Sequence, residues 1–191
     1  MLTENDLIIY PYDSLRAKAA EYLAKNRLFF EYPRNGYGKY DTNHILNILN
    51  GYLGEFAFLE FIIDKFKLEF KNDPKYWENV KNKYKFYYKI VVGDYDAGFE
   101  FSIKNKTIDI KNYGTKKVAI NDIFKLNLLV DKTQSTKADI YIQSFILDND
   151  DICLAGYNIG LPQKVGDKFP QPAYYCPIKE LQPMNNLFTD I

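Results

Sequence analysis

Phe99-Glu100-Phe101-Ser102-Ile103-Lys104-Asn105-Lys106-Thr107-Ile108-Asp109-Ile110-Lys111 is the stretch whose reading decides the fold. Apolar and polar residues alternate on both sides of a polar break at Lys104–Lys106, the two-residue period of half-buried strands. The segment reads as a β-hairpin, although its turn is not the Asn-Gly type that tight hairpins favour. Phe99, Phe101, Ile103, Ile108 and Ile110 then share one face. Gly98, Glu100, Ser102, Asp109 and Lys111 share the other. Sliding the pairing by two residues leaves that division unchanged. Asp109 and Lys111 therefore project from the same side of one strand, roughly 7 Å apart at about 3.3 Å per residue. Ile110 anchors them from behind.

Working outward, Tyr88, Ile90 and Val92 alternate and predict a preceding strand. Asp139 to Ile146 and Asp151 to Tyr157 predict two later ones. On the N-terminal side, Asp13 caps a helix with Leu15, Ala19, Tyr22 and Leu23 at helical spacing. Pro33, Gly36 and Gly38 mark a loop, Arg34 to Tyr40, rich in aromatic and basic side chains. Asp41 or Thr42 caps a longer helix towards Phe66, on which Ile45, Ile48, Leu49, Leu53, Phe56, Leu59 and Ile63 recur at three- and four-residue steps. Pro74 opens a short third helix through about Tyr84. The tail from Leu161 is proline-rich and reads as an irregular packed extension. No helix is evident between Thr115 and Lys137.

A chain of 191 residues, 47% apolar and 26% charged, fits one α/β domain with a real core. The expected layout is an N-terminal helix and loop over 1–40, a core over 41–160 and an extension over 161–191. The formal charge is zero, which argues against a polybasic coat protein but not against local basic patches. Lysines outnumber acids from Lys65 to Lys89, and Lys104, Lys106, Lys111, Lys116 and Lys117 form a second cluster. Cys153 and Cys176 are too few for a disulfide scaffold or a cysteine-rich zinc site. A single histidine, His44, argues against a histidine metal site or a Ser-His-Asp triad. With no apolar run of membrane-span length and no basic-then-apolar leader, a reducing cytoplasm is expected, the host's if the chain is viral.

An acid and an amine displayed together on a strand suit phosphodiester hydrolysis. A divalent ion held by carboxylates lowers the pKa of an attacking water and offsets charge on the phosphate, and magnesium needs only two or three such ligands. Acid-x-Lys triplets occur three times, at Glu69-Phe70-Lys71, Asp73-Pro74-Lys75 and Asp109-Ile110-Lys111. Only the last sits in a hairpin with further acids upstream, and Pro74 removes the second from any central strand. In the hairpin register Glu100 faces Asp109. A straight ladder puts Asp96 opposite Tyr113, about 13 Å past Asp109, so a shared ion requires a bend. Gly93 and Gly98, which bracket Asp96, supply the residues for one.

Asp96-Ala97-Gly98, the hairpin and Ile108-Asp109-Ile110-Lys111 together resemble the PD-(D/E)XK nuclease motif, without its naming proline, since Tyr95 precedes Asp96. Gly51-Tyr52-Leu53-Gly54-Glu55 is similar to the Gly-x-x-Gly-Glu helix of many members of that superfamily. Ala138-Asp139-Ile140-Tyr141-Ile142-Gln143 resembles the strand after the catalytic hairpin. The resemblance spans about Gly51 to Leu181. It implies a restriction-endonuclease-like mixed central sheet flanked by α-helices, and a magnesium-dependent deoxyribonuclease, an endonuclease in which manganese can substitute. It further implies that Asp96, Asp109, Glu55 and the Ile110 carbonyl hold the metal while Lys111 supports the nucleophile, with Glu100 in reserve.

Asp139 and Gln143 are expected to be structural, Cys153 a core residue and His44 a packing or cap residue. Nucleic-acid contacts are expected from Arg34 and Lys39, in a loop where Tyr37 or Tyr40 can stack on a base, and from Lys116 and Lys117. Many relatives cut duplexes as dimers, so a homodimer is one expectation. Two other readings stay open: a non-cleaving nucleic-acid-binding module of the same fold, and a structural or partner-binding protein.

Overall fold

The structure, a computed structural model, describes residues 1–35, 42–65, 101–103, 105–133, 137–166 and 172–189. Of residues 26–35, 42–44 and 102–103 it describes the backbone alone. The hairpin forms as the alternation requires. Strands β2 (Phe101–Ile103) and β3 (Lys106–Asn112) pair antiparallel with Phe101 opposite Ile108. That is the register expected from the sequence. Asn105, in the turn, takes φ 64°, a left-handed conformation that asparagine tolerates better than most residues.

β3 also pairs in parallel with β5 (Ile140–Ile146), Asp109 beside Tyr141 and Lys111 beside Gln143. β6 (Ile152–Ile159) returns antiparallel to β5, and a strand the sequence reading missed, β1 (Ile8–Tyr10), closes the far edge. The resulting mixed sheet has the order β1-β6-β5-β3-β2. A parallel pair needs a long crossover. Residues 113–139 make it with a 3₁₀ helix (Ile120–Lys125) and a strand, β4 (Asn127–Asp131), consistent with the lack of an α-helical pattern there.

The tail corrects the sequence reading. It is not irregular: β7 (Lys164–Gly166) and β8 (Ala173–Pro177) join β4 in a second sheet of order β4-β8-β7. Its Ile178, Leu181, Met184 and Leu187 are core residues. The second sheet covers one face of the first. Leu128, Val130, Cys176 and Ile178 pack there against Tyr141, Phe145 and Cys153. The α/β architecture is therefore a mixed sheet with helices on one face and, among the described residues, a small sheet on the other.

On the helical face lie α1 (Ser14–Asn35) and α2 (Thr42–Lys65). Asp13 caps α1, its carboxylate accepting from the amides of Leu15 (2.7 Å) and Arg16 (3.0 Å). α1 runs through Pro33 and Arg34 to Asn35, so the expected loop does not begin at Arg34; residues 36–41 lie outside the description. The buried side of α1 also differs from expectation. Leu15 and Tyr22 are exposed, while Arg16, Ala20, Leu23 and Ala24 are buried. Small residues let α1 approach Tyr52 and Phe56 on α2, and Arg16 forms a bidentate pair with Glu60 (2.9 and 3.0 Å) in that interface. Tyr10 lies beside this pair, and its phenol is raised above the ordinary range by burial and by the Asp64 and Glu60 carboxylates.

α2 has the extent read from the sequence, but of the expected stripe Ile48, Leu49, Leu53 and Phe56 pack against α1, while the sheet is met by Ala57, Phe58 and Phe61, which the spacing did not single out. One expectation is corrected. Ile45–Lys65 is, by length and composition, apolar enough to span a membrane; here it lies between the sheet and α1. The expected third helix (Pro74 to Tyr84), the strand at Tyr88 to Val92 and the Lys65–Lys89 charge run lie outside the described residues, apart from Lys65 itself.

Gly51 and Gly54 do not play the same part. A β-carbon at Gly54 would collide with the Ser144 hydroxyl and come within 3.4 Å of Ile110, whereas one at Gly51 would meet nothing within 4 Å. Ser144 could turn aside only by giving up its hydrogen bonds to the Lys111 carbonyl and Asn112 (both 3.3 Å). Gly51→Ala should therefore stabilise the fold by up to about 1 kcal/mol through helix propensity. Gly54→Ala should destabilise it by about 1–2 kcal/mol net. Urea unfolding of the two variants checks this, and equal effects would contradict the close seating of α2.

Candidate functional site

β3 carries two chemistries because both its faces are covered. Ile108 and Ile110 enter the core under α2, and Asp109 and Lys111 point the other way, towards the second sheet. Asp109 is only 1% exposed. Its Oδ2 lies 2.7 Å from the Lys111 Nζ, whose side chain keeps 27% of its surface in solvent. A carboxylate so deeply buried persists as an ion only with a charged or hydrogen-bonding partner. Lys111 supplies one. Its position, half in the protein and half in water, puts the pair at the margin of the inter-sheet space.

The neighbouring strand fixes this geometry. Gln143 (2% exposed) donates through Nε2 to the Lys111 carbonyl at 3.0 Å and to the Ser144 carbonyl at 2.7 Å. The Ser144 hydroxyl reaches the same Lys111 carbonyl. These two residues sit where β5 and β6 shift register, with Gln143 opposite Gly156 and Ser144 opposite Leu154, leaving Ala155 unmatched. At the end of β3, Asn50 of α2 donates to the Gly114 carbonyl (2.9 Å), tying helix and strand together. Tyr141, beside Asp109, accepts from the Ala138 amide at 3.0 Å. Burial raises its phenol above the ordinary value, with Asp109 adding to the rise.

Asp139 is structural, as expected. Its carboxylate accepts from the Thr107 amide and hydroxyl, both at 2.9 Å, which clamps the start of β3 to the start of β5. Those donors hold the carboxyl below its ordinary value. Cys153 is a core residue whose buried thiol is pushed up to about 12, far from a metal-binding thiolate.

The other expected site residues fall into three groups. Asp96, Glu100 and Lys39 lie outside the described residues, as does the side chain of Arg34. Glu55 is on α2 and partly buried. By helical phase it projects to the flank where Phe58 meets Phe101 of β2, opposite the flank where Glu60 meets Arg16. Gly54 places that helix on the Ile110 face of the sheet, so Glu55 starts from the side opposite Asp109. Lys116 and Lys117 are exposed, and Lys117 pairs with Asp150 at 2.7 Å. The backbone of His44 belongs to the first turn of α2.

Sequence reasoning missed Asp131, at the end of β4. Its carboxyl is held below its ordinary value by the Thr133 amide and hydroxyl donors (2.7 and 2.8 Å), and the charges of Lys111 and Lys137 act in the same direction. The Thr133 contacts are a local Asp-x-Thr turn, whereas the effect of Lys111 depends on the long-range placement of β4. Among the described residues no three His, Cys, Asp or Glu side chains form a metal-holding group. Asp109 itself offers oxygen, not imidazole or thiolate. Magnesium takes oxygen, retains waters and can be held by one or two protein carboxylates, so the residues present fit it better than zinc. No protein-family model, curated protein or solved structure matches this chain.

Removing the lysine partner isolates the role of the pair. Lys111→Met should destabilise the fold by about 2–3 kcal/mol, because Asp109 would keep its burial and lose its cation. In the Asp109→Asn background the same substitution should cost much less. A double-mutant cycle by chemical unfolding measures the coupling, and additive losses would contradict the pairing. The Asp139 clamp has its own pH signature. A carboxyl lowered in the folded state contributes stability above its unfolded pKa and loses it as pH falls through the folded one. The stability gap between wild type and Asp139→Asn should thus be full at neutral pH and close below about pH 3.8. Thermal melts across that range test it.

Proposed function

We propose that this chain is a metal-dependent nuclease of the PD-(D/E)XK kind, on a restriction-endonuclease-like fold, that hydrolyses DNA phosphodiester bonds. The observation that carries the reading is the Asp109–Lys111 pair: an acid-x-Lys triplet on a central strand, its carboxylate buried and in contact with its ammonium. One further feature supports it: the triplet strand is the second arm of a hairpin and pairs in parallel with the next strand of the sheet.

Asp109 would hold the ion, joined in this reading by Asp96, Glu55 and the Ile110 carbonyl. Bound magnesium or manganese would lower the pKa of a water and offset charge on the scissile phosphate. The residues of the chain do the rest. Lys111, open to solvent on one side, orients the attacking water and brings positive charge to the phosphate. Gln143 and Ser144 hold the Lys111 carbonyl, which fixes the backbone that carries the amine. Ile108 and Ile110 anchor the strand against α2 from behind.

The purified protein should cleave DNA with magnesium or manganese and stop when the metal is chelated. Asp109→Ala and Lys111→Ala should each lower the cleavage rate by about 100-fold or more. Gel assays of DNA cleavage decide the matter. Undiminished cutting by both variants would refute the assignment, and DNA binding without cleavage in any metal would leave the non-cleaving module instead.

A further inference from the structure

A second polar cluster gathers on Tyr174 of β8. Val130 of β4 pairs with Tyr174 of β8, so their side chains point to the same side, and both pack in the core beneath the first sheet. Lys132 lies in the turn directly after β4. Its ammonium stands over the Tyr174 ring, 5.9 Å from the centre. Lys137, exposed in the lead into β5, places its own ammonium over the same ring at 5.6 Å. Two cations drawn to one ring repel each other unless the ring face and nearby anions offset the repulsion. Asp131, adjacent to Lys132, is one such anion.

Asp131 also connects this cluster to the site. Its carboxylate lies within electrostatic reach of both Lys137 and Lys111. Asp109 and Lys111 face the second sheet from β3, Tyr174 of β8 packs against the core on that same side, and Lys137 immediately precedes Ala138, whose amide donates to the Tyr141 hydroxyl (3.0 Å) beside Asp109. Lys111, Lys132 and Lys137 thus come from three separate segments of the chain on the Asp109 side of the first sheet. None of the positions expected from sequence to touch nucleic acid, Arg34, Lys39, Lys116 and Lys117, belongs to this group. Two ammonium groups gathered at one aromatic ring have the chemistry that grips phosphates of a polynucleotide backbone.

We infer that Lys132 and Lys137, gathered on Tyr174, form a phosphate-gripping subsite that seats a DNA strand beside Asp109 and Lys111. In what the strand is seated for, this rests on the nuclease reading; as a binding surface it is tested apart from it. Fluorescence anisotropy of a labelled DNA duplex, with metal chelated and salt varied, compares wild type with two double variants. Lys132→Gln/Lys137→Gln should bind about tenfold more weakly near 0.1 M salt and lower the salt slope by about 2, whereas Lys132→Arg/Lys137→Arg should bind as wild type does. If the glutamine pair perturbs folding, the single Lys137→Gln variant, at an exposed position outside any strand, carries the same test with a slope change of about 1.

Wild-type affinity and slope in the glutamine variants, or no salt-sensitive DNA binding by the wild type, would overturn the subsite. The two proposals fail separately. Lysine-dependent binding without cleavage in any metal removes the nuclease and keeps the subsite. Cleavage with an unchanged KM in the glutamine variants removes the subsite and keeps the nuclease.

Discussion

A central strand roofed on both faces is usually apolar on both. β3 is not, and the fold is arranged around that exception. Its even-numbered isoleucines meet α2, and its odd-numbered Asp109 and Lys111 enter the space under a second sheet. Burying an ionised carboxylate there is tolerable because the adjacent amine of the same strand face reaches it. The second sheet then stops short of sealing the pair, leaving Lys111 partly in water. A strand built only for stability would put aliphatic residues at both positions.

Support for that strand comes from residues with no chemistry of their own. The register shift between β5 and β6 brings Gln143 and Ser144 to one backbone carbonyl, and the Asp139–Thr107 clamp fixes where the strand begins. The Arg16–Glu60 pair works at a greater remove, fastening α1 to the helix that presses on the isoleucine face. Each contact satisfies a polar group that burial would otherwise leave costly.

What the sequence made legible was local. The hairpin register followed from alternation, α2 from its apolar stripe, the start of α1 from Asp13, and β5 and β6 from apolar runs with turn residues between them. What it concealed was non-local or short. β1 is three residues followed by a proline, and the second sheet joins strands far apart in the chain whose pairing no period announces. The buried side of α1 was misread because Ala20, Ala24 and Arg16, not the larger Leu15 and Tyr22, face its neighbour; a helix that must lie close to another favours small residues there. The site divided in the same way. The triplet placed Asp109 and Lys111 by simple spacing, while the influence of Lys111 on Asp131, and the meeting of Lys132 and Lys137 at Tyr174, depend on long-range pairing.

The narrow gap between Gly54 and Ser144 has a wider implication. One hydroxyl touches the helix on one side and the peptide unit of the lysine on the other, so two positions ninety residues apart in the chain compete for the volume of a single methyl group. They can drift only together during evolution. A bulkier helix position would have to be matched by a smaller strand position, and the backbone carrying the amine would register any mismatch first.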